Sequence, residues 1–153
     1  MSDCKFCDPK ILNEQVFLEN KGASALVCIA PNCPGHSLVI SKKHAQHMLD
    51  LEEEDVRDVA ELVFQVKKIL AVVFQTRCFT DVLQDGLYAH QTLPHLHFHV
   101  YPRTQNDFTR EQFYVMTLRD RVDWQNGEGL LSMDQIHQIR DNYRVTAKSL
   151  DLI

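Results

Sequence analysis

Short apolar runs separated by turn-forming residues occupy the first part of the chain. Two of them, Glu14–Glu19 and Ala23–Ile29, flank Asn20-Lys21-Gly22, a combination that predicts two strands joined by a turn. Pro34-Gly35 separates the second run from a third, His36–Ile40, which contains β-branched residues. We therefore predict three strands in this region.

From Leu51 to about Gln75 the apolar residues recur every three or four positions, which is typical of an amphipathic helix. Asp50, with Glu53 three residues later, predicts the N-cap of that helix. The apolar stripe, which we expect to face the core, contains Val56, Val59, Val63, Val66, Leu70 and Val73.

Two more strands are predicted after this helix, at Cys78–Leu83 and His95–Tyr101, with Gln84-Asp85-Gly86 as a turn between them. Amphipathic spacing returns at Ser132–Ser149 and predicts a second helix. Because a helix is inserted among strands without strict alternation of the two, the pattern predicts an α+β fold. We expect an antiparallel meander sheet of about five strands with one long helix and a C-terminal helix.

Composition limits the classes of function. The 153 residues suit a single domain, 1–153, and the net charge of −5 argues against binding of long nucleic acid but allows a local phosphate pocket. The polar N-terminal segment and the lack of a run near the ~20 apolar residues of a membrane span predict a cytoplasmic protein without membrane association. Five cysteines, an odd number, then favour reduced thiols or metal ligands over disulfides.

The sharpest pattern is His95-Leu96-His97-Phe98-His99. Successive side chains of a strand point to opposite faces, so the three imidazoles, ~6.6 Å apart, would share one face while the alternate apolar residues face the core. Histidines in such a row suit metal ligation, or nucleophilic and acid–base chemistry near neutral pH. A solvated histidine face is the alternative.

Three more polar residues lie near the triplet in the predicted fold. His36 follows Pro34-Gly35 at the head of a strand, and Gln84 and Gln91 bracket the turn that leads to the triplet. Together they offer several donors for phosphate oxygens, which a nucleophile needs if the charge that develops in a phosphoryl transition state is to be stabilised.

Two stretches, PGHSLVISKKH and QDGLYAHQTLPHLHFHVYPR, resemble the signature segments of the histidine-triad superfamily of nucleotide hydrolases and transferases. The resemblance extends from about Cys4 to Phe108 and leaves about 109–153 as a C-terminal extension. The turn Gln84-Asp85-Gly86 and the pair Asp107-Phe108 are similar to the branch that hydrolyses dinucleoside polyphosphates.

This resemblance implies that His97, the middle histidine, attacks the α-phosphorus of a nucleotide and forms a nucleotidyl-histidine that water hydrolyses. It implies that His36 and His99 hydrogen-bond the phosphate and that Gln84 and Gln91 orient the α-phosphate or the leaving group. The expected substrate is a small nucleotide conjugate, either a dinucleoside polyphosphate or an adenosine phosphoramidate. Fixed donors would stabilise the charge, so no catalytic metal is expected. Family members are usually homodimers, which we also expect here.

Cys4 and Cys7 have the Cys-x-x-Cys spacing of zinc ligands. Bacterial-type members of the family pair such cysteines with two histidines, and the matching positions here are His44 and His95. The resemblance thus implies a closed, structural zinc site of two thiolates and two imidazoles. Free thiols near the terminus and a redox Cys-x-x-Cys pair are the alternatives.

The chain departs from the family pattern at two positions. Cys28 stands where members carry an acidic or amide residue that holds the ribose hydroxyls, and a thiol is a poor partner for hydroxyls. His90 stands where a small residue is usual, and its bulk would narrow the phosphate pocket. These departures keep open a nucleotide-binding adaptor or sensor with a weak site. A third alternative is a zinc-stabilised interaction module in which the histidines are metal ligands or surface groups only. The C-terminal extension, which contains Trp124, would cover the sheet, extend the dimer contact or line the substrate entrance.

Overall fold

A computed structural model describes residues 4–105, 107, 112 and 129–153 of the chain. Their helices are α1 (Pro9–Gln15), α2 (Glu53–Val73) and α3 (Met133–Ser149), and their strands are β1 (Val16–Glu19), β2 (Ala23–Val27), β3 (Ser37–Ser41), β4 (Cys78–Leu83) and β5 (His97–Arg103). Short 3-10 turns lie at Lys5–Cys7, Met48–Asp50 and Leu87–Ala89. No helix within these described ranges is long and apolar enough to cross a membrane.

The five strands of the described residues form one antiparallel sheet in the order β1-β2-β3-β5-β4. The first three strands follow one another as a meander. After α2 the chain forms the hairpin of β4 and β5, and β5 pairs with β3, so that β4 lies at the edge. The predicted α+β fold, with its five antiparallel strands, long helix and C-terminal helix, is confirmed.

One face of the sheet packs against α2 and α3. Ala25, Val39 and Val100 are fully buried there, against Leu62 and Ile69 of α2. Burying a side chain of the size of leucine or isoleucine contributes ~1.5–3 kcal/mol to folding. The main hydrophobic core therefore lies between this face of the sheet, which we call the helix face, and the two helices.

The opposite face of the sheet carries the histidines. Next to them, Leu26 and Leu38 form a smaller apolar cluster with Phe6 of the first 3-10 turn, and Leu12 of α1 packs against it. His97 lies opposite Ile40 of β3, and His99 lies opposite Leu38. We call this surface the histidine face.

The predicted start of the first strand and the predicted start of the long helix are both wrong. Glu14 and Gln15 do not begin a strand, since they end α1, whose N-cap Asp8 accepts a hydrogen bond from the Lys10 N–H. Asp50 does not cap α2, because its carboxylate accepts from the His47 N–H within the Met48–Asp50 turn, and α2 begins at Glu53. In both places a hydrogen bond from a nearby backbone N–H to an aspartate carboxylate determines the local backbone conformation.

The fifth strand is displaced by two residues from its predicted position. It begins at His97, because Leu96 still donates to the carbonyl of Ala45 in the connecting segment. It continues through Pro102 to Arg103. Proline is tolerated there because β3 ends opposite Val100, which leaves Pro102 with a strand neighbour on one side only.

Candidate active site and metal centre

Strand register brings three of the predicted site residues to one place. Leu83, the last residue of β4, pairs with Phe98, so Gln84 follows directly at the His97 end of the β4–β5 ladder. His99, two residues beyond His97, occupies the same histidine face.

The ring of His97 is held in one tautomer. Its Nδ1 lies 2.7 Å from the carbonyl oxygen of His95, so Nδ1–H donates and Nε2 carries the lone pair of the neutral ring. Nε2 has no hydrogen-bond partner among the described residues, and the residue as a whole is buried, with 3% of its surface exposed. Burial lowers the pKa of His97, although the bond to His95 opposes that shift. At neutral pH the site thus presents a neutral imidazole nitrogen with a free lone pair, which is chemically competent as a nucleophile.

His36 and His99 form a directed chain of hydrogen bonds beside this nitrogen. The Asn32 N–H donates to Nδ1 of His36 over 3.2 Å, which places the proton of the neutral ring on Nε2. That Nε2–H donates to Nδ1 of His99 over 2.9 Å and leaves the proton of His99 on its own Nε2. Tyr101 stacks on the His36 ring with centroids 4.2 Å apart. This series of hydrogen bonds ends at the Nε2–H of His99, on the same strand as His97.

Burial keeps both of these rings neutral. It is the main cause that lowers the pKa of His36 well below its ordinary value, and the neighbouring His99 and His97 lower it further. Burial also lowers the pKa of His99 to about 3, with His97 as the second cause. At pH 7 both histidines are therefore hydrogen-bonding groups without charge.

Cys4, Cys7, His44 and His95 converge in a second cluster, where their four ligand atoms lie within 4.8 Å of one another. Nδ1 of His95 lies 3.4 Å from Sγ of Cys4 and 3.6 Å from Sγ of Cys7. Nδ1 of His44 lies 3.4 Å from Sγ of Cys7. Zinc–sulfur bonds of ~2.3 Å and zinc–nitrogen bonds of ~2.0–2.1 Å separate such ligands by about 3.6 Å in a tetrahedron. The four residues therefore form a group that can hold a metal ion.

His95 connects the two clusters. Its Nε2–H donates to the carbonyl of Ser41 over 2.8 Å, which fixes the tautomer with the Nδ1 lone pair toward the two thiols. Its own backbone carbonyl accepts the Nδ1–H of His97. One residue thus offers a ring nitrogen to the metal group and a carbonyl to the ring of His97.

Gln91 lies in the loop between β4 and β5, and its side chain forms hydrogen bonds with backbone groups. Its Oε1 accepts from the Gly86 N–H over 3.0 Å, and its Nε2 donates to the carbonyls of Gln46 and His95 over 3.0 and 3.3 Å. Gln91 therefore braces the segment that carries Gln84 and the triplet.

Sequence reasoning missed the pair that anchors the turn after β4. Nδ1 of His47 lies 2.8 Å from Oδ1 of Asp85, and Oδ2 of Asp85 accepts from the Met48 N–H over 3.1 Å. The Asp-Gly dipeptide predicted a turn here, but no local pattern indicates a partner 38 residues earlier. The contact joins the loop after β3 to the loop after β4.

Cys28 and His90, the two residues that depart from the family pattern, lie in different surroundings. Cys28 is buried in the apolar cluster with Leu26 and Leu38, and burial raises its thiol pKa to about 12. It is a neutral, weakly polar group. His90 has a φ of 64°, in the left-handed region that favours glycine, and its side chain is exposed.

The predicted residues beyond β5 are described only in part. Asp107 pairs with Arg103 through both carboxylate oxygens, at 2.7 and 2.9 Å. Phe108 and Trp124 lie outside the described residues. The predicted C-terminal helix is confirmed as α3, which packs against α2 and β1 and so covers the helix face.

Comparison with known proteins gives consistent matches. The HIT domain family model matches residues 10–106. The chain is 35% identical over 107 residues to the asymmetrical bis(5′-nucleosyl)-tetraphosphatase of Schizosaccharomyces pombe, covering 70% of this chain and 59% of that protein. It is 32% identical over 109 residues to an adenosine 5′-monophosphoramidase of the same organism, covering 69% and 77%. The chain thus spans less than two thirds of the length of the tetraphosphatase.

Among solved structures, the fold is similar to that of the Plasmodium falciparum diadenosine triphosphate hydrolase, with a TM-score of 0.73 and 26% identity. The similarity covers 89% of this chain and 78% of that one.

Proposed function

The chain belongs to the HIT domain family, and on that premise we propose that it is a nucleotide hydrolase acting at the α-phosphate of a nucleoside phosphate conjugate. The substrate is a dinucleoside polyphosphate or an adenosine phosphoramidate, the classes named in the relatives. The observation that carries the proposal is the neutral ring of His97, whose Nε2 lone pair is free and whose centroid lies 5.0 Å from that of His99.

In the first step, Nε2 of His97 attacks the α-phosphorus. A P–N bond forms while the bond from phosphorus to the leaving group breaks. A nucleoside phosphate departs as an anion, whereas an amine takes a proton from solvent. The Nδ1–H stays on the ring and donates to the carbonyl of His95, which stabilises the positive charge on the substituted imidazole.

The donors around the phosphate are fixed before the reaction. His99 donates its Nε2–H to a phosphate oxygen, and His36 holds the His99 ring in the orientation for doing so. Gln84 binds the α-phosphate or the leaving group from across β5. Gln91 acts through the loop that it braces. Such preorganised donors stabilise developing charge without metal chemistry.

In the second step, water attacks the same phosphorus. The P–N bond breaks, its electron pair returns to Nε2 of His97, and the proton of the water passes to solvent. The products are a nucleoside monophosphate and free enzyme. Two displacements with lower barriers replace one difficult displacement.

The nucleoside that stays on the enzyme would lie over the apolar cluster of Phe6, Leu26 and Leu38, on the β3 side of His97. Cys28, in the same cluster, offers the ribose a neutral thiol with little hydrogen-bonding capacity. This observation also favours the second candidate function, a nucleotide-binding adaptor or sensor with little turnover.

We propose that the metal group formed by Cys4, Cys7, His44 and His95 binds zinc. Thiolate and imidazole ligands favour zinc over magnesium or calcium, and four protein ligands leave no open position for substrate. When bound, zinc would cross-link the N-terminal turn to the segment before β5. Because the two thiols must remain reduced, we place the protein in the cytoplasm.

We also propose a homodimer. Among the described residues β4 is an edge strand with a neighbouring strand on one side only, and Lys67 of α2 pairs with Asp81 on it. Nearby on α2, Phe64 and Val72 are more than half exposed. An edge strand flanked by exposed apolar side chains favours pairing with a second copy. Mass determination in solution tests this assembly, and a monomer at micromolar concentration would contradict it.

The enzyme proposal is tested by AMP release from diadenosine triphosphate and from adenosine phosphoramidate, with no divalent metal added. We expect wild type to release AMP from at least one substrate and His97→Ala from neither. Calorimetric binding of AMP to both proteins is the control for folding. Tight AMP binding by a wild type that turns over neither substrate would support the adaptor instead.

A further inference from the structure

Four consecutive residues after β3, which we call the 45–48 segment, each form a hydrogen bond with the loop between β4 and β5. One of these bonds comes from the Leu96 N–H, over 2.7 Å, and one from Nε2 of Gln91, over 3.0 Å. The other two go to the carboxylate of Asp85. Asp85 therefore makes half of the hydrogen bonds that join the loop to this segment.

Both carboxylate oxygens of Asp85 are used. Oδ1 lies 2.8 Å from Nδ1 of His47, and Oδ2 accepts from the Met48 N–H over 3.1 Å. The ring of His47 also lies against Gly86, where a Cβ would meet its Cε1 at 3.0 Å. The side chains of His47 and Asp85 are partly exposed, at 44% and 29%. A pair so placed adds only ~0–1 kcal/mol to stability, so the loss of Asp85 should disturb the geometry of the loop more than the stability of the fold.

Asp85 fixes the backbone next to Gln84. On one side of Gln84, the ladder of β4 and β5 pairs Leu83 with Phe98. On the other side, Asp85 is tied to the 45–48 segment, and its Cα lies about 3.8 Å from that of Gln84. The backbone of Gln84 is thus held from both sides.

Further hydrogen bonds lead from the same turn to the ring of His97. The Gly86 N–H donates to Oε1 of Gln91 over 3.0 Å, and Nε2 of Gln91 donates to the carbonyl of His95 over 3.3 Å. The same carbonyl accepts the Nδ1–H of His97 over 2.7 Å. Gln91 therefore connects the turn that follows Asp85 with the group that sets the tautomer of His97.

We propose that Asp85 is a positioning residue of the active site. By binding the 45–48 segment it holds Gln84 and Gln91 in place, and through the carbonyl of His95 it orients the ring of His97. The inference rests on the proposed function and deepens it, because it adds a residue that acts through others to those that act on the phosphate. A displacement of about 1 Å at a reacting group costs up to ~10²-fold in rate, so a contact of modest stability has a large kinetic effect.

The test measures kcat and KM of wild type, Asp85→Ala and Asp85→Asn on diadenosine triphosphate and on adenosine phosphoramidate. We expect Asp85→Ala to lower kcat per folded molecule by about 10²-fold and to change KM little, because it displaces groups needed in the transition state and leaves the apolar cluster around Leu38 intact. Asp85→Asn should restore most of kcat, since its amide can accept from the Met48 N–H and donate to Nδ1 of His47 in the other tautomer of that ring. Leu62→Ala, which weakens the main core instead, is the control that loses stability without losing kcat.

A double variant tests the connection through Gln91. Because Asp85 and Gln91 hold the same segment, Asp85→Ala combined with Gln91→Ala should lose less kcat than the product of the two single losses. A loss equal to that product would show that the two residues act independently, and would overturn the connection to His97. An unchanged kcat in Asp85→Ala, or no recovery in Asp85→Asn, would overturn the positioning role itself.

Failure of the proposed function is distinguishable, because wild type would then hydrolyse neither substrate. In that case amide hydrogen exchange decides, since it needs no turnover. Faster exchange in Asp85→Ala at both Met48 and Gly86 would still support the connected network, because the Gly86 N–H bonds Gln91 and not Asp85 itself. Any other pattern at these two amides would refute it.

Discussion

Strand β5 contributes apolar side chains to one face of the sheet and histidines to the other. On the helix face, β5 contributes Val100, which is fully buried against α2, and Phe98 packs on the same core. On the histidine face, the alternate residues His97 and His99 are polar groups that burial keeps uncharged. The alternation of a single strand therefore separates the residues that stabilise the fold from those that we propose to act on substrate.

On the histidine face, hydrogen bonds offset the free-energy cost of burying polar groups. Each ring uses one nitrogen in a hydrogen bond that fixes its tautomer, to the carbonyl of His95 for His97 and to His36 for His99. The second nitrogen of each ring remains for substrate. The helix face is rigid through packing, whereas the histidine face is ordered through directed hydrogen bonds.

The largest expected effect separates chemistry from stability. His97→Ala should lower turnover by about 10⁴- to 10⁶-fold, as loss of a covalent nucleophile does. Its melting temperature should fall less than that of Leu62→Ala, because the His97 ring, although buried against Phe6, lies outside the main core. Steady-state kinetics and thermal melting on the same samples check this. A large fall in melting temperature would mean that the two faces are not independent.

The converse change is expected next in size. Leu62→Ala, on the helix face, should lower the free energy of unfolding by about 2–5 kcal/mol through lost burial and a residual cavity. Turnover per folded molecule should be unchanged at temperatures below the transition. Leu62→Met is the matched control, with a cost below about 1.5 kcal/mol. Denaturant unfolding and kinetics at low temperature measure both quantities, and a parallel loss of kcat would break the separation.

Metal removal tests whether the histidine face has a stabiliser of its own. With free zinc at about 100 times its Kd, binding to the folded state should add ~2.7 kcal/mol to the free energy of unfolding. A chelator should remove that gain from wild type but leave Cys4→Ser unaffected. Denaturant unfolding with and without chelator provides the measurement. If both proteins respond alike, the four residues do not hold a stabilising metal.

The smallest expected effect concerns pH. Burial lowers the pKa of His99 to about 3, whereas the unfolded chain has a histidine pKa of ~6.5. As the pH falls below ~6.5, the unfolded state gains a proton that folded His99 refuses, so stability falls by about 1.4 kcal/mol per pH unit until the folded pKa is reached. Metal-free His99→Asn should lack this slope. Unfolding of both proteins at pH 7.5 and 5.5 measures the difference, and identical slopes would show that His99 is charged when folded.

Much of the fold was predictable because it follows from local periodicity. The bounds of β4 match the prediction, and α3 begins one residue after the predicted Ser132, which caps it. Helix α1 was missed because its seven residues are too few to set up a helical period. The beginning of β5 was misplaced because the hydrogen bond from Leu96 to Ala45 is a long-range contact that alternation does not encode.

The sequence predicts which residues form the candidate site better than it predicts how they are arranged. The triplet and the Cys-x-x-Cys spacing pointed to residues that the fold brings into two adjacent clusters. Their tautomers depend on Asn32 and Ser41, and the turn beyond β4 depends on His47. These partners come from other elements of the fold, so only the three-dimensional structure identifies them. The roles of the site residues stay predictions until they are measured.

The most direct test of the central claim is detection of the covalent intermediate on His97. Wild type mixed with diadenosine triphosphate labelled at the α-phosphorus should be quenched at alkaline pH, where a P–N bond to histidine survives, and digested for peptide mapping. We predict label on the peptide that contains His97, and none in His97→Ala. Label on another residue, or AMP release without any labelled protein, would contradict the account.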